Sequence, residues 1–553
     1  MSQLSQATQK LISHYQAWHQ SLQPKEGVTT IHVDEVASKV AAFYEKIRGI
    51  IDWKEEHLLK RRAIERTLKR RLFSQLDLTN GNLAQTPIAE PLVLELIRGG
   101  HFSNDRIEES KIKEVQKAID KYVFILNQAG AGPQKSKLQL YSWISGIAAC
   151  EIEEILAPSL KERALINYMF ELMEERIKLN EGILKIRGIN EKEKNIQIYI
   201  AVQQALFKLD APVISYHLLK YRYPGWTNPP EFQPITTNSI GVRTQLSEIA
   251  KNIYSIKESI EKDLNHPLAD KFYQICERYD TPYLLLGDVI SENPVEIKEE
   301  ISKPEILESL IRKVYNKRVK TLKSRLARAA FYATLSIFLT NVVSLLAIEM
   351  PFSKWLTGYY FNFFAIGVDI IGPTVLMFFL VVTIKPPKKE NREQVVMEVM
   401  KIVYERKRKD IYEIKTFRKR GLIFNTIITF FYILGFFAFL SLVIWGLYQV
   451  NFPPLSYVIF IIFLSLIAFA GTKIRQRAKE LQVIETKETF FHFIVDPFAV
   501  PVIQLGNWLT AHWKRYNIIA AFFSALIDMP FLVFVEFLEQ WRYFLKEKKE
   551  KIR

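Results

Sequence analysis

Apolar and polar positions are distributed very unevenly along this 553-residue chain. Up to about residue 328, apolar residues recur at helical spacing among many charges. Beyond that point come four long apolar runs: Ala329–Ile348, Phe361–Ile384, Leu422–Gln449 and Leu455–Gly471. A bilayer core of about 30 Å needs roughly 20 apolar residues at 1.5 Å each. Three runs meet that length and the fourth is slightly short. Four such runs in succession, almost free of charge, speak against buried helices of a soluble protein. The pattern predicts four transmembrane helices: one within 321–350 with a basic lead-in, then 361–384, 422–449 and 455–471.

Ahead of these runs the spacing predicts helices. Val33 to Phe73 reads as one long amphipathic helix, with Val36, Val40, Phe43, Ile47, Ile51, Ile64, Leu68 and Leu72 three or four apart and Asp34 as N-cap. Asn80 to Pro91 reads as a loop. Further helices are expected at 106–128, 138–156, 159–187, 191–221, 243–264, 267–279 and 304–328, the last running into the first membrane helix without a breaker. Tyr221–Pro234 holds four prolines and must be irregular, so a subdivision near 221–240 is expected. Alternating strands are scarce and no internal repeat is visible. The predicted class is all-α: a polytopic membrane protein with a helical cytosolic domain over 1–320, a four-helix membrane unit, and cytosolic interfacial helices over 472–553.

Charge sets the expected topology. Ile311–Arg328 carries eight basic and no acidic residues. Lys354 is the single basic residue between the first two runs. Lys385–Gly421 is strongly basic, and Lys473, Arg475, Arg477 and Lys479 follow the fourth run. Lys and Arg are retained on the cytoplasmic side. Both termini are therefore expected in the cytosol of a cell (plasma or inner) membrane protein, with Trp355, Tyr359 and Tyr360 in an outer aromatic belt. The start of the chain lacks the apolar core of a signal peptide.

Two later segments are apolar but interrupted. Residues 490–509 contain His492, Asp496, Pro497 and Pro501, and 517–541 contain Asp528, Pro530, Glu536 and Glu539. Spanning by both would put Lys514 and Arg515 outside, against the charge rule, so both are expected to lie at the cytosolic interface or re-enter. Trp508, Trp513, Trp541 and Tyr543 suit headgroup depth there, beside the basic tail Lys546–Arg553.

Composition narrows the classes. Apolar residues at 49% and aromatics at 13% exclude a disordered chain. Two cysteines, Cys150 and Cys276, exclude a disulfide scaffold and a thiolate zinc site; both read as small core residues. The net charge of +16 points to anionic partners. The amphipathic helix of the basic 385–421 loop, with Val395, Val399, Ile402 and Val403 in one stripe, fits either an anionic cytosolic leaflet or the N-terminal domain. Arg406, Lys407, Arg408, Lys409, Arg418, Lys419 and Arg420 are the candidate lipid contacts. The basic stretch Lys54–Arg71 reads as a solvated helix face with internal Glu pairs rather than a nucleic-acid surface.

Catalytic signals are weak. Gly130–Lys137 (GAGPQKSK) fails the phosphate-loop spacing, because Gln134 stands where glycine must precede the lysine. The nine histidines form no metal-binding pair, no nucleophile elbow occurs, and neither cofactor nor metal is expected. The sharpest single residue is Asp369, a carboxylate inside an apolar run at a cost of about 2.5–3.5 kcal/mol. Asn341 on the first run lies at a similar depth, so an Asp369–Asn341 hydrogen bond is expected, and Gly367, Gly372 and Pro373 could loosen the backbone around it.

Two function classes follow. The leading expectation is a non-enzymatic scaffold or membrane-organising protein, whose cytosolic helices bind a protein partner and which is open to homo-oligomerisation. The alternative is a small ion or proton transporter or channel component with Asp369 in the pathway. The scaffold leads because the four runs contain a single ionisable residue.

Overall fold

The computed structural model describes residues 4–23, 27–33, 56–73, 87–129, 134–179, 190–223, 226, 240–357, 363–384, 387, 389–404, 410–414, 422–483, 490–516, 537, 541, 544–545 and 548. These residues are mostly helical and divide into two compact units. One comprises Gln9–Asp280 with Asp410–Ile414 and Phe522–Arg553; the other comprises Met1–Thr8, Thr281–Lys409 and Lys415–Ala521.

The first unit holds α1 (Gln6–Ser21, from Gln9 on), α2 (Glu56–Phe73), α3 (Ala89–Arg98), α4 (Ser110–Gln128), α5 (Gln134–Leu156), α6 (Leu160–Arg176), α7 (Glu191–Phe207), α8 (Ala211–Arg222), α9 (Ile240–Lys251), α10 (Ile253–Leu264) and α11 (Ala269–Arg278). α5 is central, with α2, α4 and α8 packed against it. Its Ile144, Ile147 and Ile152 share a core with Ile64, Leu68, Leu92, Val115, Ile125, Leu218 and Trp226.

Several boundaries differ from the periodicity, each for a local reason. The helix expected over 191–221 is two. Lys208 closes α7 in the left-handed region (φ 51°), and Pro212 sits in the first turn of α8, where its missing N–H costs nothing. The stretch 243–264 breaks at Asn252. The helix expected through 187 ends at Arg176, and β1 (Ile177–Leu179) pairs in parallel with β2 (Tyr412–Ile414). The fold is thus helical with one short parallel ladder. Three-residue strands joined across such a sequence gap leave no alternation to read. The expected 34–55 portion of the first long helix lies outside the described residues.

One buried polar cluster of this unit is closed on itself, although other buried atoms of the unit, Asn195 Oδ1, Gln197 Oε1 and Asp210 Oδ1 among them, complete no hydrogen bond. Lys121, fully buried, donates to both oxygens of Glu151 at 2.6 Å and to the Trp226 carbonyl at 3.1 Å, while Tyr122 donates to Glu151 at 2.5 Å. The basic run on α2 is spent in ion pairs. Arg61 pairs with Glu65 (2.7 Å) and Asp210 (2.5 Å), Lys69 pairs with Glu65, and Arg70 and Arg71 both meet Glu95. Cys150 and Cys276 are free and buried, and burial pushes both thiols up.

The second unit begins with α12 (Asp280–Glu292, from Thr281 on) and α13 (Ile297–Ile301). Then comes α14 (Pro304–Ser344), a single helix from the basic lead-in through the first apolar run. A π-helical segment, Leu345–Glu349, leads directly into α15 (Met350–Thr357). α16 (Phe363–Val382), α17 (Lys389–Val403), α18 (Leu422–Gln449), α19 (Pro454–Ala478) and α20 (Phe490–Tyr516) follow. Four helices, Pro304–Phe352, Phe363–Val382, Ile423–Gln449 and Ser456–Ala478, are long and apolar enough to cross a membrane. α18 is the most exposed of them, with Phe424, Phe430, Phe431, Phe437 and Trp445 on its surface.

The apolar stripe of α17 is not free to meet a leaflet. Val395, Val399, Ile402 and Val403 are buried within this unit. α17 packs on the basic end of α14, where Asn391 donates to the Tyr315 hydroxyl (3.0 Å) and to the Leu481 carbonyl (2.5 Å). Ser5 N–H and the Thr8 hydroxyl both reach the Val403 carbonyl.

α20 packs against α19 and α18. Gly506 abuts the Ser465 carbonyl, so a Cβ there would collide with α19 main chain. Tyr432 on α18 hydrogen-bonds Gln504. At 1.5 Å per residue, Gly506 stands roughly 24 Å along α20 from Phe490, and Ser465 roughly 20 Å from the Ala478 end of α19. The similar rises fit an antiparallel pair. The segment 517–536 lies outside the described residues.

Two predictions follow from these packings. Single cysteines at Lys479 and His512, labelled with an impermeant reagent in sealed vesicles, will react from opposite faces; labelling of both from one face would return α20 to the interface. The second concerns His217 in the first unit. Gln203 Nε2 donates to the Tyr199 carbonyl, which turns Gln203 Oε1 towards His217 Nδ1 (2.5 Å), so the neutral ring donates. Burial, then Arg163 and Lys220, push the imidazole pKa from 6.5 down to about 3. The unfolded chain therefore takes the proton first, and stability present above pH 6.5 is lost as pH falls towards 3, about 3 kcal/mol by pH 4. His217→Gln will flatten this acid limb in thermal unfolding of the full chain in detergent; an unchanged limb would refute the assignment.

Candidate functional site

The site starts from a backbone defect. α16 carries Pro373 in its interior. Proline has no N–H, so the carbonyl four residues earlier, that of Asp369, loses its helical partner. Asn341 on α14 supplies the replacement: its Nδ2 donates to the Asp369 main-chain oxygen. The amide therefore reaches Asp369 through the backbone and not through the carboxylate. Both residues are almost completely buried, and Asp369 Oδ2 and Asn341 Oδ1 have no hydrogen-bond partner.

A second defect faces the first. Pro351 follows the π-helical segment, and within that segment the helix ladder loosens, the Met350 N–H reaching back to the Leu345 carbonyl. A π-bulge inserts one residue into the turn. In a straight α-helix Glu349, eight residues beyond Asn341, would stand about 80° round the helix at 3.6 residues per turn. The insertion lets it occupy the place of a seventh residue, within about 20° of Asn341. Glu349 is fully buried, accepts from the Ser344 hydroxyl at 3.3 Å, and acts electrostatically on Asp369. Its Oε2 has no hydrogen-bond partner. Ser456, fully buried in the first turn of α19, lies beside the Glu349 carboxyl, and its Oγ completes no hydrogen bond.

These residues form one polar layer between apolar ones. Ala333, Met377, Ile467 and Ile474 pack together elsewhere along the same helices, and Ala365, Leu447 and Phe452 form a separate apolar cluster. No Lys, Arg or His occurs in the four apolar runs. Three hydroxyls on the same helices serve their own backbone: Thr374 donates to Ile370, Ser465 to Ile461 and Thr472 to Ala468 carbonyls. Within the apolar helices, four buried oxygens without a hydrogen-bond partner, on Asn341, Glu349, Asp369 and Ser456, fall in this layer.

The structure brings Asp369 and Asn341 together and adds Glu349, Ser344 and Ser456, which sequence reading passed over. Glu349 follows Ile348, the last residue of the first apolar run, where it reads as a boundary charge. Arg406–Lys409 and Arg418–Arg420 lie outside the described residues, as does Gly130–Pro133 of the glycine-rich segment. Among the described residues no group of three or more His, Cys, Asp or Glu could hold a metal.

Fold and layer together define a class: a mostly helical chain with a large non-membrane helical region and four long apolar helices, consistent with a multi-span membrane protein. No protein-family model, curated protein or solved structure matches the chain.

The Pro373 defect predicts a coupling. Asn341→Ala will cost about 0.5–1.5 kcal/mol in the wild-type background. It will cost clearly less beside Pro373→Ala, because the restored N–H serves the Asp369 carbonyl. A double-mutant cycle of unfolding in detergent measures this, and equal penalties in both backgrounds would exclude it.

Proposed function

We propose that this protein moves a small cation or proton across a membrane, with Asp369 and Glu349 in the pathway. The observation that carries the reading is the set of unpaired carboxylate, amide and hydroxyl oxygens buried between apolar layers of the membrane unit. Intramembrane ionisable residues are costly and mark ion and proton paths. The scaffold reading led while Asp369 stood alone; a second carboxylate at the same layer reverses that order. In this proposal the large helical unit faces the cytosol, as the basic flanks of the spans indicate.

Flux in sealed proteoliposomes, read with a pH-sensitive dye and under a potassium-diffusion potential, is the test. Wild type will exceed empty liposomes, and Asp369→Asn will lose at least 90% of that flux. No wild-type flux above empty liposomes would return the protein to the scaffold class, with a partner of residues 1–320 and an anionic leaflet as its ligands.

A further inference from the structure

The polar layer contains more than a proton path requires. A relay of protons needs titratable groups. Here Asn341 and Ser456, neither of which titrates, are held fully buried beside two carboxyls. The Asn341 amide is locked, since its Nδ2 is committed to the Asp369 carbonyl that Pro373 leaves free. Its Oδ1 is thereby a fixed acceptor with nothing to accept. The unpaired set is Asn341 Oδ1, Glu349 Oε2, Asp369 Oδ2 and Ser456 Oγ. With both carboxyls ionised three are acceptors, and the one donor among them, the Ser456 hydroxyl, lies against the Glu349 carboxyl without completing hydrogen-bond geometry. A cluster so short of donors is completed by an electron-pair acceptor, that is, a cation.

All four atoms are hard oxygen ligands, which suit alkali and alkaline-earth ions rather than soft transition metals. Calcium takes six to eight oxygens and magnesium a near-ideal octahedron that retains several waters. Four protein oxygens with only two carboxyls, in a dry layer, fit neither. An alkali ion and one proton together balance the two carboxyls.

We propose that Asn341, Glu349, Asp369 and Ser456 form a binding site for one dehydrated alkali-metal cation. The proposal rests on the same reading of the layer as an ion path, but concerns equilibrium binding and not transport. Its test is binding of radioactive sodium to the purified full-length protein in detergent, in choline buffer at constant ionic strength, with lithium, potassium and choline as competitors. Saturable binding of one ion per chain is expected, displaced by an alkali competitor and not by choline. Thermal unfolding will shift upwards with the bound alkali ion and not with choline, by linkage. Asn341→Ala and Glu349→Gln will each weaken binding at least tenfold, while Thr374→Ala, whose hydroxyl serves its own helix, will not. The wild-type competition series stands even if a variant fails to fold. Absence of saturable sodium or potassium binding to wild type, or undiminished binding by the Asn341→Ala/Glu349→Gln double variant, would overturn the site. Proton flux without alkali binding would leave the transport reading standing and remove this one; binding without flux would do the reverse.

Discussion

The membrane unit is organised around a carbonyl that its own helix cannot satisfy. Pro373 withdraws the N–H that Asp369 O would accept, and in an apolar surrounding such a group costs several kcal/mol unless another donor is found. Asn341 is that donor. The bond ties α14 to α16 at one depth, turns the amide oxygen away from the backbone, and leaves the Asp369 carboxylate without the partner it would otherwise have. The shape of the polar layer follows from these facts. Glu349 joins it because a second proline, Pro351, accompanies a π-helical turn that rotates the next carboxylate onto the same face.

Around this layer the helices pack by ordinary means. Gly506 lets α20 meet the Ser465 carbonyl, and Gly471 lies against Leu380. Asn391 joins α17 to α14 and to the segment after α19 through three hydrogen bonds. The stripe Val395, Val399, Ile402 and Val403 is consumed in that packing, which is why its basic neighbours, and not the stripe, remain the candidates for an anionic leaflet. In the first unit one polar cluster closes on itself. Lys121, Glu151, Tyr122 and Trp226 satisfy one another, and Arg61 lies between Glu65 and Asp210. The layer in the second unit differs in joining two carboxyls with an amide and a hydroxyl whose oxygens complete no hydrogen bond.

Legibility in the sequence divides along the range of the interactions involved. Local periodicity carries the helices, and the charge-free runs carry the spans, because both depend on neighbours within a few residues. The unbroken passage of α14 from Pro304 into the first span was legible for the same reason: nothing in residues 305–344 breaks a helix. The division at Lys208 was missed because a left-handed cap on a non-glycine residue leaves no compositional mark. The β1–β2 pair was missed because its two strands are three residues each and far apart in the chain.

By itself the sequence determined a mostly helical chain with four membrane-length runs, and it singled out Asp369 and Asn341, since a lone carboxylate or amide in an apolar run stands out against its immediate neighbours. Only the tertiary structure decided what surrounds them. Glu349 reads as a boundary charge at 3.6 residues per turn and becomes part of the layer once the π-bulge shifts the helical phase. Ser456 comes from the far end of another span, and no spacing rule connects it to either carboxylate. Whether a buried oxygen is paired depends on atoms brought from remote parts of the chain, and that information exists only in the packed fold.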